Sequence, residues 1–98
     1  MAWEVVISQR AADNLADIVA YLSQHWPAQV KIDFLAELSH KIELISQMPQ
    51  MYRASRRKNG VRECVVNRHT IMYYRIQGQQ VEIITLQDSR RNPERNDL

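Results

Sequence analysis

The chain has 98 residues, 45% apolar and 24% charged, with a net charge of +2. These proportions are ordinary for a small globular domain and exclude both a disordered chain and a second core. No apolar run approaches the ~18 residues of a membrane span, and the opening MAWEVVISQR lacks the basic-then-apolar pattern of a secretory signal, so a cytoplasmic protein is expected.

Residues 3–7, WEVVI, are aromatic and β-branched and predict a short first strand. Ser8 follows as a natural helix N-cap, because its hydroxyl can accept from an orphan backbone N–H. Leu15, Ile18, Val19, Leu22 and Trp26 then recur at the spacing of one helix face, with Asp13 and Asp17 opposite. Pro27 stops this helix and suits the opening of the next. Val30, Phe34, Leu38, Ile42 and Ile45 give the second stripe, which ends near Met48-Pro49. So tight a link at His25-Trp26-Pro27 predicts an antiparallel helical hairpin.

The stretch MYRASRRKNG has no apolar periodicity and ends in the turn signal Asn59-Gly60. Three strands are expected after it, at Val61–Val66, Thr70–Ile76 and Val81–Gln87. Asn67-Arg68-His69 forms the first turn and Gln77-Gly78-Gln79-Gln80 the second. The predicted fold is α+β, of order β-α-α-β-β-β, with the hairpin packed on one face of a mainly antiparallel four-stranded sheet and the other face comparatively open. A single domain spans 1–98, with 88–98 a polar, irregular tail.

The small net charge hides an asymmetry. Residues 1–52 carry a net −3 and residues 76–98 a net −1, whereas residues 53–75 hold seven cations against Glu63 alone. A patch of that kind attracts phosphate or an acidic protein surface. Its members are Arg53, Arg56, Arg57, Lys58, Arg62 and Arg68, to which Arg90 and Arg91 in the tail are added as target-binding residues. Cys64 is the single cysteine and reads as a small buried strand residue. His25, His40 and His69 are too scattered for a metal site, and no catalytic role is expected of them. Neither a metal nor another cofactor is expected. Tyr73 and Tyr74 are adjacent in a strand and must point to opposite faces, one into the core and one toward a partner.

In order, spacing and length, AADNLADIVAYL, FLAELSHKIELI running into Pro49, the Gly60-x-Arg62 step, TIMYYRI with its tyrosine pair, and VEIITLQDSRR together resemble the RelE/ParE toxin superfamily over nearly the whole chain. The resemblance implies the toxin of a type II toxin–antitoxin pair, neutralised in a hetero-oligomer by a cognate antitoxin, ParD-like or another small DNA-binding protein. RelE-like members cut messenger RNA on the ribosome; ParE-like members inhibit DNA gyrase. Where RNase members place basic, His or Tyr residues, this chain has LQDSRRNPERNDL, with Asp88 at a position better served by a base. Arginine stays protonated and is a poor general base. That departure, with a hairpin of about 40 residues, favours the ParE-like branch: a non-enzymatic gyrase inhibitor, with an mRNA endoribonuclease as the alternative. The antitoxin is expected on the hairpin flank and on residues 71–86, with Tyr73, Tyr74, Ile83 and Leu86 as contacts.

Overall fold

The computed structural model describes residues 2–90. Strand β1 (Glu4–Ile7) leads into α1 (Gln9–His25) and α2 (Ala28–Gln47). A single 3-10 turn, Pro49–Met51, then precedes β2 (Arg62–Asn67), β3 (Thr70–Gln77) and β4 (Gln80–Asp88). The order β-α-α-β-β-β is the one expected. The sheet runs β1-β4-β3-β2 and is mixed: β1 is parallel to β4, while the other two pairs are antiparallel.

Ser8 joins sheet to helix. Its hydroxyl accepts from the Ala11 N–H at 3.0 Å and donates to the Ile84 carbonyl at 2.8 Å, and its own N–H bonds the Ile83 carbonyl. The N-cap thus serves the helix and the central strand together. Pro27 caps α2 directly before its first helical residue. The Trp3 N–H donates to Ser46 at the other end of the hairpin, at 2.6 Å.

Ile18 and Leu22 of α1 and Phe34, Leu38 and Ile45 of α2 meet Cys64, Met72, Tyr74, Val81, Ile83 and Leu86 of the sheet in one core. Between Tyr73 and Tyr74 the β3–β4 register slips, leaving Ile84 as an extra residue in β4. Asn14 of α1 accommodates this bulge, its side-chain oxygen accepting from the Thr85 hydroxyl at 2.6 Å and the Leu86 N–H at 3.1 Å. A buried bulge leaves backbone donors without ladder partners, and here the helix supplies one. The β3–β4 loop is tighter than expected: Gln77 pairs with Gln80, and only Gly78 and Gln79 lie between. Gly78 supplies the positive φ, at +61°, that a two-residue hairpin loop requires.

Residue 88, expected to begin the tail, instead ends β4, because Thr70 pairs with Asp88 across the ladder. The Asp88 side chain is 1% exposed. It accepts from the Thr70 hydroxyl at 2.7 Å and from Arg90 through the backbone N–H, Nε and a terminal guanidinium nitrogen. Arg90 also lies over the Trp26 ring, 6.0 Å from its centroid, and so ties the sheet end to the hairpin turn. The remainder of the expected tail, residues 91–98, lies outside the described residues.

Burial pushes the Asp88 pKa upward, but the bonds from Arg90 and Thr70 outweigh it and hold the carboxyl below its ordinary value of 3.8. A depressed folded-state pKa contributes stability that is complete above the unfolded value and is lost as pH falls through the folded one. The unfolding free energy should therefore fall as pH drops below about 4. Asp88→Asn should flatten part of that slope in urea melts, and an unchanged slope would show that the Asp88 pairing is not linked to folding.

Candidate functional site

The basic segment begins where α2 ends. Residues 52–61 form no helix, and where such irregular backbone is shielded from water its polar groups must be met individually. Side chains from the sheet do this. The Tyr74 hydroxyl donates to the Pro49 carbonyl at 2.6 Å in a buried bond. The Arg62 guanidinium donates to the Tyr52 carbonyl at 2.6 Å and the Gln50 carbonyl at 3.3 Å. Tyr52 packs edge-to-face on Tyr74, ring centres 6.5 Å apart. Burial, helped in Tyr52 by its hydrogen bond with Cys64, pushes both phenols up to about 12. Burial likewise raises the Cys64 thiol, which suits packing and not nucleophilic chemistry.

Further on, Ala54 bridges Arg62, the Ser55 N–H bonds the Val61 carbonyl at 2.7 Å, and the Glu63 N–H bonds Arg53 at 3.1 Å. These bonds cover the start of the β2 edge, an exposed row of donors and acceptors that would otherwise invite pairing. Gly60, at φ +78°, turns the chain back into β2. The Arg57 guanidinium reaches the Tyr73 hydroxyl at 3.5 Å and the Gln87 side chain at 3.4 Å. The second sheet face is therefore partly covered and not open as expected, and Tyr73 is only 2% exposed.

The predicted cations divide into groups. Arg56, Arg57 and Lys58 are exposed on the segment. Arg53 is exposed but paired with Glu63 at 2.7 Å. Arg62 is turned onto backbone carbonyls and has a structural occupation. Arg68 sits in the β2–β3 turn, where its Nε donates to Nε2 of His69 at 3.3 Å. Asn67 holds that turn by accepting from the N–H groups of His69 and Thr70, and donates to Glu37 of α2. Arg90 is tied to Asp88, so the structure places it with Arg68 at one end of the sheet. Arg91 lies outside the described residues. Among the described residues, no three His, Cys, Asp or Glu side chains gather as metal ligands, and no helix is long and apolar enough to cross a membrane.

The four expected antitoxin contacts need correction. Tyr73, Tyr74, Ile83 and Leu86 are at most 6% exposed: the helices cover the last three, and the Arg57 side chain reaches the Tyr73 hydroxyl on the other face. None offers a surface while the fold is closed. The large exposed apolar side chains lie elsewhere, including Trp26 at the hairpin turn and Ile32 and Leu35, which are three apart on one face of α2. Sequence periodicity assigned Ile32 and Leu35 to no stripe, and that omission was the available signal.

The sequence matches the family described as the ParE toxin of type II toxin–antitoxin systems over residues 5–93. No curated protein matches the sequence. Among solved structures, the chain is similar to a protein of the chromosomal ParDE system of P. aeruginosa, with a TM-score of 0.72 and 16% identity over 89% of this chain and 96% of that one. It is also similar to a chain of the RelBE2 toxin–antitoxin complex of Mycobacterium tuberculosis, with a TM-score of 0.64 and 16% identity over 90% and 99%. A substituted E. coli toxin RelE in the free state gives a TM-score of 0.63 and 12% identity over 95% and 90%. At these identities the likeness is one of fold.

Replacing Arg62 by Met removes charge-assisted bonds of ~1.5–3 kcal/mol. Tryptic cutting at Arg56, Arg57 and Lys58 should then accelerate by about tenfold or more, since cleavage follows the population of the open segment. Circular dichroism should stay unchanged; an unaltered cleavage rate would show that Arg62 does not hold the segment.

Proposed function

The chain belongs to the ParE toxin family of type II toxin–antitoxin systems, and from that premise we propose that it inhibits DNA gyrase by binding and not by catalysis. The observation that carries this reading is the display of Arg56, Arg57 and Lys58 on a segment anchored across the second sheet face. Held this way, the cations form a fixed positive surface that loses little conformational freedom on meeting DNA or an acidic protein patch. A gyrase–DNA complex with a cut duplex offers both.

The alternative is a RelE-like ribonuclease, and the superfamily fold is compatible with it. RNA cleavage needs a group that takes the 2′-hydroxyl proton and another that protonates the leaving oxygen. Arg57 bonds the buried Tyr73 phenol and the Gln87 amide, and the amide has no proton-transfer role at neutral pH. Asp88 is buried under Thr70 and Arg90, and His69 accepts from Arg68 in the far turn. These surroundings favour the inhibitor.

Neutralisation falls to a cognate antitoxin in a hetero-oligomer. The exposed Trp26, Ile32 and Leu35 give it apolar surface on the hairpin flank, where a segment that folds on binding can bury enough area to offset its ordering cost.

Reversing Arg56, Arg57 and Lys58 to Glu should abolish growth arrest by the lone protein. Arg56 and Lys58 are exposed changes that cost little stability, while Arg57 also loses its bonds to Tyr73 and Gln87. A thermal melt of the triple variant checks that it stays folded. In cells expressing the unaltered chain, plasmid supercoiling should change and messenger RNA should stay whole. Retained toxicity in the triple variant sinks the role of the segment, and ribosome-dependent RNA cleavage sinks the gyrase reading.

A further inference from the structure

Asn59 and Gly60 make the turn that returns the basic segment to β2, and no role proposed above uses either. Asn59 is exposed, and among the described residues nothing hydrogen-bonds its side-chain amide. The other two described asparagines are held. The Asn14 oxygen accepts from Thr85 and Leu86, and the Asn67 side chain accepts from His69 and Thr70 and donates to Glu37. Each of these precedes a residue whose side chain crowds the next backbone nitrogen, Leu15 and Arg68, whereas Asn59 precedes a glycine. A Cβ at Gly60 would meet nothing within 4 Å, so the space beside that residue is open. Across the turn the Val61 N–H reaches the Lys58 carbonyl at 3.4 Å, and Gly60 takes φ +78°. This is the pattern of a type II turn, and so long a closing bond costs little to open.

We propose that Asn59 is a site of self-modification, at which deamidation lowers the charge of the displayed segment and so ages the toxin. The effect on toxicity rests on the reading that Arg56, Arg57 and Lys58 meet the target; the chemistry does not. When the turn opens, the Gly60 nitrogen attacks Asn59 Cγ. A bond from that nitrogen to Cγ forms, the Cγ–Nδ2 bond breaks, and ammonia leaves with the proton the nitrogen gives up. The product is a cyclic succinimide. Water then opens the ring at either carbonyl. Opening at Cγ gives aspartate; opening at the main-chain carbonyl gives isoaspartate, in which the main chain runs through the former side chain. In sum, an amide and water become a carboxylate and ammonium, with no oxidant, metal or second enzyme. Either product sets a carboxylate directly after Lys58 and makes the segment less positive. Isoaspartate also lengthens the main chain just before Val61, whose carbonyl holds the Ser55 N–H.

The test ages the full chain at mildly alkaline pH, then digests it at acid pH with an endopeptidase that cuts after glutamate. Mass spectrometry can follow each site separately, because the fragments between Glu4 and Glu37, Glu43 and Glu63, and Glu63 and Glu82 hold Asn14, Asn59 and Asn67 as their single asparagines. The Asn59 fragment should gain the mass difference between an amide and an acid and elute as two products, faster at higher pH. The Asn14 and Asn67 fragments should keep their amides over the same period. No gain at Asn59, or equal rates at the three sites, would overturn the site. Asn59→Gln, whose longer side chain closes the ring poorly, should remove the gain with an unchanged thermal melt. Asn59→Asp should leave a cation-exchange column at lower salt and need about two- to fivefold more protein to arrest growth, the size of one exposed charge contact. Unchanged growth arrest by Asn59→Asp would overturn the ageing of the toxin. A lone unaltered chain that arrests no growth removes the toxin reading, while the fragment masses still decide the site.

Discussion

The Tyr74 hydroxyl on the Pro49 carbonyl, with the Arg62 guanidinium on the carbonyls of Gln50 and Tyr52, decides where the chain goes after α2. Without the Tyr74 bond the buried Pro49 carbonyl would be left without a partner, at a cost of about 1–3 kcal/mol. With these bonds the exit is closed, and the following residues must cross to the second face of the sheet. Tyr52 is carried against Tyr74 by the same constraint, and its hydroxyl reaches Cys64, so the latch is continuous with the core.

The charge distribution takes its meaning from that crossing. Seven cations in residues 53–75 are a cluster in sequence but not in space. Arg53 and Arg75 are paired on the sheet, Arg62 is spent on the latch, and Arg68 is carried to the opposite end by the length of β2. The remainder, Arg56, Arg57 and Lys58, ride on the anchored segment. At the other end Asp88 gathers Thr70 and Arg90 and brings Arg90 over Trp26, so sheet and hairpin share one fixed rim. Two anchors at opposite ends of the sheet thus hold the surface between them.

Much of the fold was legible because its signals are local. Ser8 as an N-cap, the 3.6-residue stripes of α1 and α2, the stop at Pro27 and the positive φ of Gly60 each depend on a few neighbouring residues. The bulge at Ile84 was not legible, since its partner Asn14 is 70 residues away in sequence. Nor was the fate of Tyr73: alternation sent it to the face opposite Tyr74, but only the crossing of the basic segment shows that this face is covered. Ile83 and Leu86, expected as antitoxin contacts, lie instead in the core under the helices, because strand pattern alone left them free to face either way. Arg62 illustrates the limit for charges, because composition counts a guanidinium without showing whether it meets solvent or a carbonyl.

Amide hydrogen exchange at Ser55 and Glu63 in the unaltered protein tests the anchoring of the basic segment most directly. Their N–H groups bond the carbonyls of Val61 and Arg53, and if the latch holds the segment on the sheet both should exchange with protection comparable to that of the β2–β3 ladder. Exchange at the rate of an unstructured peptide at these two positions, with the ladder still protected, would contradict it.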